Sequence, residues 1–538
     1  MGERPAGAPA APADAPDGLP SDLVAQLGDR VHPIPTVAPG ELVFEVLPAD
    51  LASLASTLVG GGWRFVMLVG LDERRGGAGF AVEAAFERPN ASIVRFRAAL
   101  SADAPSYPSI ARGVPAALWD ERELKDLFGI VPEGHPDPRR LVLHDSYPRG
   151  FHPLRHDAPT TPPDGPTDRR YVPFAAHGEG VFALPVGPIH AGVIEPGHFR
   201  FSAVGETVLY LDARVFFTHR GIEKLVEGRT TSNALQIVER SCGVCTVTHA
   251  TAFALAIERI AGTEPPARAT NLRAVLAELE RLYNHVGDLG NICAGIGFNV
   301  GSSQLGWLKE RLLRINESLT GHRYLTGVVV PGGLVTDLPA DALAALPGRL
   351  AEAERDLRTL LHLVNRAEAA LERFRSTGVL SRRTAIDLGT VGVAARASGV
   401  PVDLRCDHPT GAYGTLSVPL VESAAGDVAA RFHVRAQESL ASLDLLKRLL
   451  ADVPEGPVNV PLGSLAPGAS ALGWAEGPRG ASWLWLRIGQ DERIDRLHLR
   501  SASFANWPSV AAAAPGNLVP DFPLINKSFE LCYACTDR

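Results

Sequence analysis

The hydrophobic positions of the first 157 residues fall in short runs separated by polar and Gly-rich turns. Such runs predict strands at Glu41–Leu47 and Trp63–Leu71, and strand-like segments with a polar interruption over Phe80–Ala99. The apolar spacing of Trp119–Phe128 predicts a short amphipathic helix. Together these elements predict a small α+β domain at residues 39–157.

The pattern changes after a Pro-rich stretch, Ala158–Pro173, which predicts a linker at residues 158–178. Phe182–Arg214 is expected to be extended. Long patterns of helical character follow, and they cover Thr248–Ala261, Arg268–Asp288, Asp341–Arg375 and Val421–Leu450. Four or five long helices predict a mainly helical bundle domain with peripheral strands at residues 179–538. The many Gly and Pro residues from Val453 onward predict irregular structure with short strands.

Composition limits the class of protein further. A length of 538 residues predicts two or more domains. With 52 basic and 60 acidic residues the formal net charge is −8, which argues against a nucleic-acid-binding protein. Because no run of about 18 apolar residues is present, we expect no membrane span. Residues 1–38 are rich in Ala, Pro and Asp near their start and have no apolar signal core, so we expect a disordered tail.

The cysteines supply the candidate chemistry, because four of the six form two Cys-x-x-Cys pairs. The pairs are Cys242/Cys245 and Cys532/Cys535, and thiolates suit nickel, zinc or iron–sulfur centres. A structural zinc site, a redox disulfide in each pair, and a buried metal centre that joins distant segments all fit this spacing. The 286 residues between the pairs weigh against a small zinc module. The unpaired cysteines are expected to be buried structural residues: Cys293 and Cys406.

Two motifs resemble those of nickel–iron hydrogenase large subunits. Val238–His249 (VERSCGVCTVTH) resembles the first metal motif of that family, and Cys532–Arg538 resembles the last. Segments shared with the complex I-related branch, including its 49-kDa subunit, are Gly187–His190, Glu195–Phe199, His219–Lys224 and Arg396–Gly399, the last with Asp403 and Arg405. Segments that resemble the 30-kDa subunit of complex I are Glu121–Glu123, Asp126–Gly129, His135–Arg140 and Pro153–Arg155. A fusion of these two parts resembles the formate hydrogenlyase-type (group 4) large subunits.

The resemblance implies a nickel–iron centre and a reaction. Cys242 and Cys532 would be terminal nickel ligands, and Cys245 and Cys535 would bridge nickel to an iron that carries carbon monoxide and cyanide. The implied reaction is reversible, 2H⁺ + 2e⁻ ⇌ H₂, with heterolytic cleavage of hydrogen.

The resemblance also implies roles for residues around the metal. Glu195 matches the proton-relay glutamate of the family. Arg479, in the turn Gly477–Gly480, would place its guanidinium over the metal pocket. Ser503 would hydrogen-bond another iron ligand. For His249, a donor to thiolate sulfur and a satisfied buried histidine both remain open.

A second metal position and several departures from the family pattern involve the end of the sequence. Glu223 resembles a residue that helps bind Mg or Fe in many hydrogenases, but Arg538 stands where those proteins have a histidine ligand. A guanidinium cannot ligate a metal, so we expect Arg538 to form an ion pair instead, with Glu223 as a candidate partner. Glu530-Leu531 replaces the usual Asp-Pro, Ser241 replaces an apolar residue, and Pro409-Thr410 replaces Pro-Tyr. Whether a C-terminal extension is removed at Arg538, as in most relatives, stays open at this stage.

If both Cys-x-x-Cys pairs hold the metal centre, the chain has no cysteine motif left for an electron-transfer cluster. Partner subunits must therefore carry the electrons. A small subunit with a 4Fe–4S cluster, a further iron–sulfur subunit and ion-translocating membrane subunits are implied, so iron–sulfur clusters would lie only in partners. The chain would be peripheral on the cytoplasmic face of the membrane, with H₂ and protons as substrates and no nucleic acid. The alternative is a complex I-like quinone oxidoreductase or scaffold subunit without hydrogen chemistry. A zinc-stabilised structural protein is a third interpretation.

Overall fold

The computed structural model describes residues 27–167, 171–191 and 194–538. The N-terminal region, residues 27–157, is built on a five-stranded sheet of order β1-β2-β5-β4-β3. Its strands are β1 (Val31–Ile34), β2 (Glu41–Val46), β3 (Arg64–Asp72), β4 (Phe80–Glu87) and β5 (Ile93–Leu100). β2 and β5 are parallel, and the other pairs are antiparallel. The remaining elements of this region are α1 (Leu51–Gly60), β6 (Ser106–Pro108), α2 (Leu118–Phe128) and β7 (Val131–Glu133).

Part of the segment that was expected to be a disordered tail is ordered, namely residues 27–38. Residues 1–26 lie outside the described residues, but Leu27 and Ala38 are buried and Val31–Ile34 pairs with β2. The expectation of disorder is therefore corrected for residues 27–38, because their apolar side chains contribute to the core. In the expected linker, the described residues contain no helix or strand.

The second region, residues 171–538, begins with the antiparallel sheet β10-β9-β8 and continues into the helical bundle. The strands are β8 (Val181–Val186), β9 (His198–Val204) and β10 (Thr207–Arg214). The helices are α3 (Ile222–Val226), α4 (Thr231–Glu239), α5 (Thr246–Ala261), α6 (Ala267–Ala294), α7 (Asn299–Thr320), α8 (Ala340–Asn365), α9 (Glu368–Phe374), α10 (Arg382–Asp387), α11 (Gly392–Arg396), α12 (Leu404–Asp407) and α13 (Val428–Ala451). A two-stranded pair lies between α7 and α8: β11 (Val329–Val330) and β12 (Gly333–Leu334). Helix α6 is the axis of the bundle, because it packs against both α7 and α13.

The last part of the chain is more regular than expected. An antiparallel sheet comprises β13 (Ser470–Gly477), β14 (Gly480–Ile488) and β15 (Ile494–Arg500). Three helices follow: α14 (Ala502–Ala513), α15 (Phe522–Phe529) and α16 (Tyr533–Asp537). The predicted short strands are present and residues 453–469 are irregular, but the three helices were not predicted, and Pro508 is accommodated inside α14.

Two predicted helices differ from the structure at their ends. Helix α13 begins at Val428 instead of Val421, because the Asp427 side chain caps it by accepting the Ala430 N–H at 2.8 Å. The predicted helix over Asp341–Arg375 is two helices, since the helical structure is interrupted between α8 and α9. The α+β class and the helical bundle with peripheral strands are confirmed.

The two regions share a core and buried charges. Apolar residues of β3, β4 and β5 pack against α12 and the β13–β14 hairpin, and the cluster includes Val66, Met67, Leu71, Leu404, Leu472, Trp483 and Trp485. Asp120 of α2 pairs with Arg500 of β15 at 3.1 Å. In the described part of the chain, no helix is both long and apolar enough to cross a bilayer.

Candidate metal centre

The four paired cysteines converge on one buried point between the start of α5 and α16. The Sγ atoms of Cys242, Cys245 and Cys535 lie within 4.8 Å of one another, and the Sγ of Cys532 is 3.2 Å from that of Cys242. This distance exceeds the ~2.05 Å of a disulfide bond, and all four cysteines are free. Cys532 is the most exposed of the four, so the cluster opens toward the surface on its side.

Each Cys-x-x-Cys pair owes its shape to the beginning of a helix. Cys532 caps α16, where its sulfur accepts the N–H of Cys535 at 3.4 Å. In the other pair the Cys242 sulfur accepts the N–H of Val244 at 3.4 Å, and α5 begins directly after Cys245. N–H groups at a helix start favour negative charge, so the backbone supports thiolates at both places.

The thiols of the cluster differ in their pKa values. Hydrogen bonds from Cys242 and Cys535 lower the pKa of Cys245 to about 6, whereas the neighbouring Cys242 thiol raises the pKa of Cys532 to about 12. Without a cation, the buried cluster therefore favours a mixture of thiol and thiolate. Four soft sulfur donors at one point suit nickel, iron or zinc, and the donor set fits a nickel–iron centre.

Arg479 reaches the cluster from the tip of a tight hairpin. Gly477 and Gly480 pair across the β13–β14 turn, so Pro478 and Arg479 are its two loop residues. Gly480 has a φ of +126°, and a Cβ there would lie 2.6 Å from the backbone nitrogen of Gly392, so only glycine fits. The turn therefore fixes the backbone of Arg479.

The guanidinium of Arg479 is buried and held in three directions. It donates to Asn284 Oδ1, to Asp288 Oδ1 at 3.2 Å and to the Glu530 carbonyl oxygen at 2.9 Å. Burial alone would lower the pKa of Arg479, but Asp288 and the Cys245 thiolate raise it well above its usual value. A permanent cation therefore stands beside the sulfur cluster.

Glu195 lies at the exposed rim of the site. Its Oε2 accepts the N–H of Ala534, between the last two cysteines, at 2.8 Å. Partial burial and the neighbouring Cys532 sulfur raise the pKa of Glu195, and the Ala534 hydrogen bond lowers it. Glu195 is exposed in the isolated chain, so only a partner molecule could exclude solvent from its carboxylate.

Ser503 and His249 contact the backbone and sulfur of the cluster. Ser503 Oγ accepts the N–H of Cys532 at 3.0 Å. His249 Nε2 lies 3.9 Å from the sulfur of Cys535, and its Nδ1 lies 2.7 Å from the Ser241 hydroxyl. Burial lowers the pKa of His249 to about 4, so the ring is neutral and can donate one hydrogen bond to sulfur. Ser241 thus has a partner that explains a hydroxyl at this position.

Glu223 lies in a separate buried cluster. Its carboxylate accepts from His498 Nδ1 at 2.8 Å, from Arg496 Nη2 at 2.9 Å and from Arg538 Nη1 at 2.9 Å. Arg538 also pairs with Glu123 of helix α2. The ion pair expected between Arg538 and Glu223 is present, and the guanidinium lies among the carboxylates that a cation would need.

Sequence reasoning missed several contacts around the cysteines. Arg220 donates from Nη2 to the carbonyl oxygens of Ser241 at 2.8 Å and Ala534 at 2.7 Å, so one side chain ties both cysteine segments together. The carboxylate of Asp537 accepts the N–H groups of Phe216 and Thr218, at 2.7 and 2.9 Å. Arg220 belongs to the His219–Lys224 segment, and the resemblance of that segment to the family was the only indication in the sequence that Arg220 lies near the site.

Comparison with protein families places the chain in a class shared by hydrogenases and respiratory enzymes. The family described as "Respiratory-chain NADH dehydrogenase, 49 Kd subunit" matches residues 305–467, and the 30 Kd subunit family matches residues 44–164. The family described as "Nickel-dependent hydrogenase" matches residues 220–289, which include the first cysteine pair.

Individual relatives define the family more closely. The chain is 36% identical over 489 residues to formate hydrogenlyase subunit 5 of Escherichia coli, a match that covers 89% of this chain and 85% of the relative. It is 31% identical to the membrane-bound hydrogenase subunit alpha of Pyrococcus furiosus, over 66% of this chain and 87% of the relative. It is also 36% identical to an NADH-quinone oxidoreductase subunit of Salinispora arenicola, over 66% of this chain and 93% of the relative. The chain belongs to the family of complex I-related, formate hydrogenlyase-type hydrogenase large subunits, with a fused 30-kDa-like N-terminal region, and is a hydrogenase-related oxidoreductase subunit.

Proposed function

We propose that this chain is the hydrogen-converting large subunit of a nickel–iron hydrogenase, which catalyses 2H⁺ + 2e⁻ ⇌ H₂ reversibly. The observation that carries the proposal is the convergence of four free thiols beside a buried guanidinium. When bound, a nickel–iron centre with carbon monoxide and cyanide on iron would supply the redox and hydrogen-splitting chemistry. Cys242, Cys245, Cys532 and Cys535 would hold it.

The residues around the thiols would each have one task. Arg479 would present a fixed positive charge to the reacting atoms, which stabilises negative charge that develops in the pocket. Glu195 would carry protons between the pocket and the outside, because its raised pKa brings the carboxyl nearer to working pH. His249 and Ser503 would keep the sulfur and backbone of the last cysteine pair in place.

Metal analysis and infrared spectroscopy of the purified complex test the proposal. We expect about one nickel per chain together with sharp bands from iron-bound carbon monoxide and cyanide. Cys245→Ser should abolish both signals, whereas Cys406→Ser should leave both unchanged because that thiol lies outside the cluster. Zinc or no metal in the native complex, with no bands, would favour the complex I-like quinone-reductase or scaffold alternative.

Replacing Glu195 with glutamine should slow hydrogen–deuterium exchange catalysis by about 10²–10⁴-fold, since the amide cannot carry the proton. Nickel content should stay unchanged, because the Ala534 N–H still finds an acceptor in the amide oxygen. Glu206→Gln, on the exposed turn between β9 and β10, is the matched control and should retain the native rate. A native exchange rate in Glu195→Gln would remove Glu195 from the proton route.

We further propose that an iron–sulfur partner, the small subunit with a 4Fe–4S cluster, covers the rim at Glu195. Two exposed apolar residues lie on the segments next to it, Ile194 and Ile189, and Ile189 is 87% exposed. Phe182 and Leu184, on the strand β8 that precedes Ile189, are also exposed. Burial of this surface would remove Glu195 from bulk water and bring an electron carrier near Cys532. A further iron–sulfur subunit and ion-translocating membrane subunits would complete a complex on the cytoplasmic face of the membrane. Ile189→Asp should weaken co-purification of the iron–sulfur partner, and Val379→Asp, also exposed but elsewhere, should not.

A further inference from the structure

Helix α2 of the N-terminal region carries much buried charge, and the partners of that charge divide between two regions. Asp120, Glu121, Arg122, Glu123 and Asp126 are all buried, although such residues are rarely buried unless paired. Three of them, Glu121, Arg122 and Asp126, are satisfied inside the N-terminal region. The other two, Asp120 and Glu123, pair with arginines of the second region, and Asp120 Oδ1 also accepts the N–H of Leu68 at 3.4 Å.

Asp120 and Glu123 face the second region. They are three residues apart, so they lie on one side of the helix. Asp120 pairs with Arg500 at 3.1 Å, and Glu123 pairs with Arg538. This side of α2 is therefore complementary to two arginines that are far away in the sequence.

Both arginines adjoin the backbone that carries the last cysteine pair. Arg500 directly precedes Ser501, whose hydroxyl donates to the Cys535 carbonyl oxygen at 2.9 Å. Arg538 follows Cys535 by three residues, and its backbone N–H donates to the Ala534 carbonyl oxygen at 3.2 Å. Through these contacts, α2 reaches the turn that presents the sulfur atoms.

The side chain of Arg538 is fixed by four acceptors, one of which is the nearby Thr536 carbonyl oxygen at 3.4 Å. Besides Glu123, it donates to Glu223 Oε1 at 2.9 Å and to the Leu499 carbonyl oxygen at 2.5 Å. Glu223 and Leu499 belong to the second region, so Glu123 is the acceptor that couples Arg538 to the N-terminal region. Loss of Glu123 would leave the buried guanidinium of Arg538 with less negative charge around it. This strongly favours movement of the C-terminal segment that carries Arg538.

We propose that Glu123 is a positioning residue for the metal-binding segment Cys532–Arg538, so that the N-terminal region forms part of the support of the metal centre. The inference rests on the proposed function only where it concerns the metal. The positioning of the thiols themselves is measurable without any metal.

The test uses the full-length chain produced without nickel, in which the alkylation rate of each cysteine is followed by mass spectrometry. Glu123→Gln should speed alkylation of Cys532 and Cys535 by about tenfold or more, because breaking a buried ion pair favours local opening. Alkylation of Cys242 and Cys245 should change much less, since their segment contacts neither arginine side chain in the described structure. Glu121→Gln is the matched control, because Glu121 is equally buried on the same helix but bound to Ser109 and Ile110.

A double variant separates a specific pair from general loosening. Arg538→Gln should also accelerate alkylation of Cys532, and Glu123→Gln combined with Arg538→Gln should be no faster than Arg538→Gln alone. Equal acceleration by Glu121→Gln, or no acceleration by Glu123→Gln, would overturn the proposal.

The nickel-loaded complex gives a second readout. Glu123→Gln should lower nickel content or shift the infrared bands of the iron-bound ligands, and Glu121→Gln should do neither. Native bands and nickel in Glu123→Gln would overturn the positioning role. A native complex without nickel or bands would refute the proposed function, while the alkylation pattern would still decide whether Glu123 positions the segment.

Discussion

Replacing Arg479 with lysine should lower the rates of hydrogen uptake and evolution by about 10²–10³-fold, while nickel content stays unchanged. The guanidinium uses three separate donors, toward Asn284, Asp288 and the Glu530 carbonyl oxygen. A lysine ammonium is a point charge that cannot hold this forked geometry, so the positive charge would shift away from the sulfur atoms. Hydrogen uptake with a dye acceptor, evolution with a reduced dye, and nickel content measured together check this result.

The matched control for this change is Arg358→Lys on the exposed side of α8, which should behave as the native protein. Loss of nickel together with activity would mean that Arg479 acts in the assembly of the site. Native rates with nickel present would mean that its charge plays no part in the reaction.

Replacing Arg538 with alanine should lower the free energy of unfolding by about 3–5 kcal/mol, because one partner of a buried ionic cluster is removed. Glu123 and Glu223 would then lie close together, with His498 beside them and Arg496 still paired with the other oxygen of Glu223. Two carboxylates and an imidazole are ligands that Mn²⁺ or Fe²⁺ accept. We therefore expect millimolar Mn²⁺ to restore part of the stability of Arg538→Ala, and to leave the native protein unchanged.

Thermal unfolding with and without Mn²⁺ measures both effects. Arg358→Ala is the control for loss of an exposed arginine, and it should change stability by no more than about 0.5 kcal/mol. A Mn²⁺ response in the native protein, or a well-occupied divalent ion beside Glu223, would contradict replacement of the ion by the guanidinium.

Local sequence patterns predicted those features that depend on nearby residues. The helix at Trp119–Phe128 and the strand at Glu41–Leu47 agree with α2 and β2, because their periodicity is local. His249 was expected near the site because it ends the segment that resembles the first metal motif, and it lies 3.9 Å from the Cys535 sulfur. The roles suggested for these residues stay predictions.

Contacts between distant segments could not be derived in this way. Asn284 and Asp288 hold Arg479 from helix α6, 195 and 191 positions away, and no periodicity within either segment indicates that pairing. Glu123 belongs to a quoted motif, but its partner Arg538 is 415 positions away. The domain boundaries proposed from the sequence also stay predictions.

The placement of the cysteines has a consequence for how the molecule folds and comes apart. Cys242 and Cys532 are 290 positions apart, yet their sulfur atoms lie 3.2 Å from each other. An ion bound by both would cross-link the chain over more than half its length. An unfolded chain would have to lose the entropy of closing this long loop before all four cysteines could bind the ion. Metal release and global unfolding should therefore coincide in one cooperative transition, and the metal-free protein should melt at a lower temperature.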